Sequence, residues 1–107
     1  MKHIILLSFL TLASLSSSTL FAAGDAAAGK ASYMICAACH GAKGEGNQMM
    51  NAPRLAGQDA WYIAASLKRF KSGARGKDDP IAASMIPMAK MLSEKQVEDV
   101  AAYIATL

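Results

Sequence analysis

Cys36, Cys39 and His40 fall inside one pentapeptide, Cys36-Ala37-Ala38-Cys39-His40. Two thiols at this spacing can each add to one vinyl group of a single porphyrin. The imidazole that follows then lies beneath the iron and can bind it. Ala37 and Ala38 are small, so the backbone can lie against the edge of the ring. The motif therefore predicts one haem c per chain, joined covalently to Cys36 and Cys39, with His40 as an axial ligand. Three other chemistries fit less well. A thioredoxin-like redox pair needs a βαβ surround that is missing here. A zinc site needs a second Cys or His pair. A disulfide across two residues closes a very small loop and stabilises little.

The beginning of the chain bears on where such chemistry takes place. Lys2 and His3 form a short basic region, and residues 4–15 are mostly apolar but short for a bilayer span. Serines and Thr19 follow, then Leu20-Phe21-Ala22-Ala23 with small residues suited to a peptidase. This pattern reads as a secretory signal peptide over 1–22, leaving a mature domain over 23–107; cleavage after Ala23 fits nearly as well. The competing reading is an uncleaved membrane anchor. Export predicts a periplasmic protein with no stable membrane insertion once the signal is removed. Thioether attachment outside the cytoplasm in bacteria agrees with it.

Loss of the signal removes Lys2, so the formal charge of +3 falls by one, and two haem propionates would bring it near zero. Nucleic acid is therefore not an expected partner. His3 leaves as well, so His40 is the one imidazole remaining of two. Two-histidine ligation within the chain is excluded. A mature domain this short buries little core by itself, and a covalently held porphyrin would supply an apolar body to fold around.

The sixth ligand must then be Met, Lys, the new N-terminus, water or nothing. Met34 is too near the haem-bearing helix end, and Met49 and Met50 precede Pro53. The Pro53 carbonyl is a suitable acceptor for the second ring N–H of His40, which places this stretch on the proximal side. Met85, Met88 and Met91 remain, although methionines also fill irregular gaps in cores. Pro87 disfavours helix at Ile86, so the chain around Met85 is expected to be extended or turning, as a ligand loop requires. Met88 and Met91 have the spacing of a short helical turn.

The elements that must hold these residues read as helices. Asp25 caps a first helix running to about Ala38, and Gly29 within it suggests close approach by another helix. A glycine-rich loop follows His40. Asp59 caps a second helix from Ala60 to about Ser72, with Gly73 past its end and Ala60, Ile63, Leu67 and Phe70 on one face. Asp79-Pro80 opens a short turn. Ser93 and Gln96 form a capping box for the last helix, whose stripe is Val97, Val100, Ala101 and Ile104. No stretch alternates as a strand, so the fold class is all-α. Lys68, Arg69, Lys71, Arg75 and Lys77 form a basic cluster that reads either as a solvated face or as a docking patch for an acidic partner.

The chain resembles class I c-type cytochromes, and in particular one half of the two-haem periplasmic cytochromes c of bacteria. The likeness rests on Ala23-Gly24-Asp25-Ala26, on Cys36-Ala37-Ala38-Cys39-His40-Gly41 and on Pro53-Arg54-Leu55-Ala56-Gly57-Gln58 with Tyr62. It continues through the Met-rich segment to Leu92-Ser93 and Ala101-Ala102-Tyr103. It implies a small class I cytochrome c fold around one haem, with the first and last helices crossing near Gly29 and Tyr103. It also implies that Pro53 accepts from His40 and that Leu55 presses on the haem. The ligand methionine lies seven residues before the Leu of the Leu-Ser pair in the similar proteins, which points to Met85, with Met88 the runner-up. A single Cys-x-x-Cys-His departs from the two-haem pattern. The expected function is a monomeric, non-enzymatic electron carrier serving redox protein donors and acceptors. The alternatives are a haem subunit of a multi-chain dehydrogenase, or an open-site ligand-binding or peroxidase-like protein.

Overall fold

A computed structural model of the chain describes residues 24–107. The expected signal peptide and its cleavage point lie outside the described residues. Among the described residues five α-helices follow one another: α1 (Ala26–Ser32), α2 (Met34–His40), α3 (Ala60–Ser72), α4 (Met85–Lys90) and α5 (Glu94–Ile104). Two 3₁₀ turns, Gln48–Met50 and Ala82–Ser84, lie between them. Among the described residues the only β feature is an isolated bridge between Asn47 and Ala52.

The expected first helix is present but divided at Tyr33, and it runs to His40 rather than to Ala38. The Asp25 carboxylate accepts from the N–H groups of Ala27 and Ala28, as a cap should. At the division the Cys36 N–H donates to the Tyr33 carbonyl at 2.8 Å, a tighter three-residue bond. Tyr33 has a reason to interrupt the helix. Its ring is buried and lies 5.3 Å from that of Tyr103, and its hydroxyl donates to the Gly41 carbonyl at 2.6 Å. Burial pushes the Tyr33 phenol above its ordinary range.

α1 crosses α5 at Gly29, where any Cβ would run into the Asp99 carbonyl and the Tyr103 side chain. A side chain at position 29 must push the two helices apart, so glycine offsets its helix cost by permitting the approach. The same crossing buries Asp99. Its Oδ1 accepts from the Asp25 N–H at 2.8 Å and its Oδ2 from Lys95 Nζ at 2.6 Å. The Lys95 ammonium, then the Asp25 N–H, hold this carboxyl below the usual carboxylate range. A depressed carboxyl contributes stability that is present above its unfolded pKa and lost as pH falls through the folded value. Asp99→Asn should therefore be less stable than wild type at neutral pH. It should also lose less on acidification below about pH 4, the unfolded aspartate range. Thermal melts from neutral pH downward check this. Parallel acid limbs for the two proteins would refute it.

α3 has the expected limits, with Gly73 closing it at φ 78°. Asp59 occupies the capping position, but its side chain accepts no capping bond. Ile63, Leu67 and Phe70 are buried, with Ala60 packed against them. In α5 both bonds of the Ser93–Gln96 capping box are made, and Val97, Val100, Ala101 and Ile104 are buried. Together with Tyr33, Ala89 and Leu92 these faces make one core.

The chain around Met85 is helical, not extended. Ser84 and Met85 both have right-handed helical backbone, and the Ala82–Ser84 turn runs directly into α4. Pro87 is the third residue of α4. In a first turn the backbone N–H groups have no intrahelical partner, so a proline there loses no bond. The bias against helix at Ile86 is outweighed by continuity with that turn.

Candidate haem-binding site

Between α2, the loop of residues 41–59, α3 and α4 lies a cavity of about 630 Å³, within the range of cofactor sites. One wall carries Cys36, Cys39 and His40 from the C-terminal end of α2. Both cysteines are free of disulfide; Cys36 is half-buried and Cys39 exposed. Burial pushes the Cys36 thiol up to about 11, so an unreacted thiol there stays protonated at neutral pH.

His40 is buried, and its Nδ1 lies 2.7 Å from the Pro53 carbonyl oxygen. That bond makes Nδ1 the protonated nitrogen of a neutral ring and leaves Nε2 as the one able to bind a metal. The loop brings Pro53 back through paired backbone bonds. The Leu55 and Ala56 N–H groups both donate to the Gly44 carbonyl, and the Gly46 N–H donates to the His40 carbonyl at 2.7 Å. Gly46, at φ 82°, sits so close to Ala52, Pro53 and Arg54 that a Cβ would obstruct the return. Pro53 and half-buried Leu55 both line the cavity.

Met85 and Met88 line the cavity from α4, and both are half-buried. Met34, Met49 and Met91 are exposed and do not line it; Met50 is exposed and also lines it. Of the three methionines weighed after Pro53, Met85 and Met88 line the cavity and Met91 does not.

Three members of the five-member basic cluster have partners of their own. Lys68 pairs with Glu98, and Lys71 pairs with Glu94 and donates to the Leu92 carbonyl. Arg75 turns to the cavity, where Ser66 and Asp79 also stand. The sequence reading assigned none of these three to the site. Ser66 carried one signal that could have found it, a hydroxyl placed between Ile63 and Phe70 on an otherwise apolar stripe.

An apolar cavity with two thiols and an outward imidazole nitrogen on one wall, and thioethers available on another, fits a covalently attached haem. This is the site of a c-type haem protein on an all-helical frame. Residues 26–107 match the cytochrome c family, and the chain belongs to it. It is 43% identical over 84 residues to cytochrome c-554(548) of Halomonas halodenitrificans, covering 78% of this chain and 98% of that protein. It is 46% identical over 72 residues to the thiosulfate dehydrogenase electron acceptor of Thiomonas intermedia, covering 67% of this chain but only 31% of that one. Among solved structures it matches reduced cytochrome c4 from Pseudomonas stutzeri with a TM-score of 0.64 and 30% identity. That match covers 79% of this chain and 50% of the other. Membership makes the cofactor covalently bound haem c and the activity electron transfer. Among the described residues no helix is long and apolar enough to cross a membrane.

Proposed function

We propose that this chain is an exported, monomeric electron carrier whose haem is joined to Cys36 and Cys39 and ligated by His40 and Met85. Bound there, the haem supplies one-electron exchange between Fe(II) and Fe(III). The observation that carries the reading is the cavity itself, with Cys36, Cys39 and His40 on the α2 wall and Met85 and Met88 on the α4 wall. The Pro53 carbonyl holds the His40 ring by its Nδ1–H and so keeps Nε2 toward the metal. Leu55, Ile63 and Leu67 line the cavity, exclude water and lower the local dielectric. Held by His40 and Met85, the haem would favour Fe(II) and so have a relatively high potential. The basic and apolar run at residues 2–15, outside the described residues, supports export to the periplasm.

Electrons arrive from and leave to redox proteins through small, short-lived encounters. The likeness to a thiosulfate dehydrogenase electron acceptor supports a second reading, in which the donor is a dehydrogenase on another chain and the two stay together. Two measurements on purified holoprotein separate the possibilities. A filled sixth position leaves the ferrous spectrum unchanged under carbon monoxide, whereas rapid binding would establish an open-site haem protein instead. Elution as a monomer at high salt supports the carrier, and co-elution with an enzyme supports the subunit.

A further inference from the structure

Met50, Tyr62 and Ile81 are exposed and also line the cavity, so they mark its mouth. Trp61, 71% exposed, stands beside them, its ring 5.8 Å from that of Tyr62 and nearly perpendicular to it. Met49, 95% exposed, adjoins Met50 in the same 3₁₀ turn. Five of the seven large apolar side chains exposed among the described residues thus gather around one opening. Single exposed apolar residues need no explanation, but a cluster marks an interaction site. Trp, Tyr and Met are enriched in protein interfaces, and Trp and Tyr commonly carry most of the binding energy. Charge is nearly absent from the opening. Among the described residues Arg75 and Asp79 are the one cation and the one carboxylate that line the cavity, and their charges cancel. On α3, Lys68 and Lys71 are already paired with Glu98 and Glu94.

We propose that this apolar rim is where a second copy of the chain docks for electron self-exchange. The proposal rests on the haem filling the cavity as described above. One electron passes from the Fe(II) haem of one copy to the Fe(III) haem of the other; no bond forms or breaks and no proton moves. An uncharged rim offers nothing to complement a strongly acidic or basic partner. It complements a face of its own kind, and a two-fold pairing sets the same patch on both sides. Loss of the signal and two haem propionates leave the whole chain near neutral, so two copies do not repel. A rim of this kind covers on the order of a few hundred Å². A lasting complex buries about 800 Å² per partner, so this pair dissociates between exchanges and the resting protein stays a monomer. Trp61 and Tyr62 open α3, which Ile63, Leu67 and Phe70 fix in the core. A surface held on a rigid element adds little ordering cost to docking.

The test is the self-exchange rate in mixed Fe(II) and Fe(III) holoprotein, read from concentration-dependent broadening of the haem-methyl lines in proton NMR spectra. Self-exchange has no driving force, so the rate reads contact rather than potential. Trp61→Asp and Met49→Asp each place a carboxylate on the rim at an exposed position outside the cavity lining. Both should keep the wild-type haem spectrum and slow the exchange, Trp61→Asp by about tenfold or more. Reduced Trp61→Asp mixed with oxidised Trp61→Lys should exchange faster than either variant with itself, because opposite charges then meet across the pair. The wild-type rate should change by less than about twofold between low and high salt. Wild-type rates in both Asp variants would overturn the proposal and leave the rim to a partner of another kind. No recovery in the mixed pair would overturn it too, and so would a wild-type rate that climbs steeply with salt, the mark of like charges held apart. Wild-type protein without a haem spectrum would sink the underlying haem reading instead, which separates the two failures.

Discussion

His40→Ala should leave almost no holoprotein. His40 is buried at the end of α2, its Nδ1 is bound to the Pro53 carbonyl, and it lines the cavity beside both cysteines. No other histidine lies in residues 23–107 to replace it. Losing a partner one step removed from a metal commonly costs about 10–100-fold in affinity, and losing the proximal ligand should cost more. The substitution also leaves the Pro53 carbonyl without its donor. Holoprotein yield, measured as haem absorbance per polypeptide after export, should fall by more than about tenfold. Normal yield with an unchanged spectrum would remove His40 from the iron.

Met85→Ala should convert a closed, high-potential haem into an open, lower-potential one. Two thioethers line the cavity from α4, Met85 and Met88. They are three positions apart on one short helix, so both present to the cavity. The expectation that an extended or turning chain would single out Met85 does not survive, because α4 begins at Met85. What now favours Met85 is its place seven residues before Leu92, matching the ligand of the similar cytochromes. Axial ligands set haem potentials over about 0.8 V, so loss of the thioether should lower this one by on the order of 0.1–0.3 V. The weak near-infrared sulfur-to-iron band should vanish and the ferrous haem should bind carbon monoxide. Met88→Ala should keep the band and disturb only packing. The opposite pattern would transfer the ligand role to Met88.

What could be read in advance follows the range of the interactions involved. The limits of α3 and the start of α5 depend on caps and stripes within a few residues, such as Ser93 with Gln96, and they were legible. Gly29 announced a helix crossing because its cost within α1 needed a compensating contact. The break at Tyr33 was not legible, since its cause is a ring on α5 and a carbonyl beyond α2. α4 was misread because Pro87 was weighed without the preceding turn. The individual partners of the basic cluster were out of reach for a similar reason. A run of cations along the sequence does not show that Lys68 meets Glu98, that Lys71 meets Glu94, or that Arg75 turns inward on Ser66. In the site, the motif at Cys36–His40 was legible because attachment needs those residues at that spacing. The wall built from Ser66, Phe70, Arg75 and Asp79 depends on how α3 lies against the loop after it.

The most direct measurement is peptide mapping of the purified holoprotein after extraction with acidified acetone. Trypsin cuts after Lys30 and Lys43, so one peptide spans residues 31–43 and contains Cys36, Cys39 and His40. We expect the haem to resist extraction and this peptide to carry the mass of one haem, with no free thiol at either cysteine. Haem that extracts freely, or an unmodified 31–43 peptide from protein that still shows a haem spectrum, would contradict covalent attachment at Cys36 and Cys39.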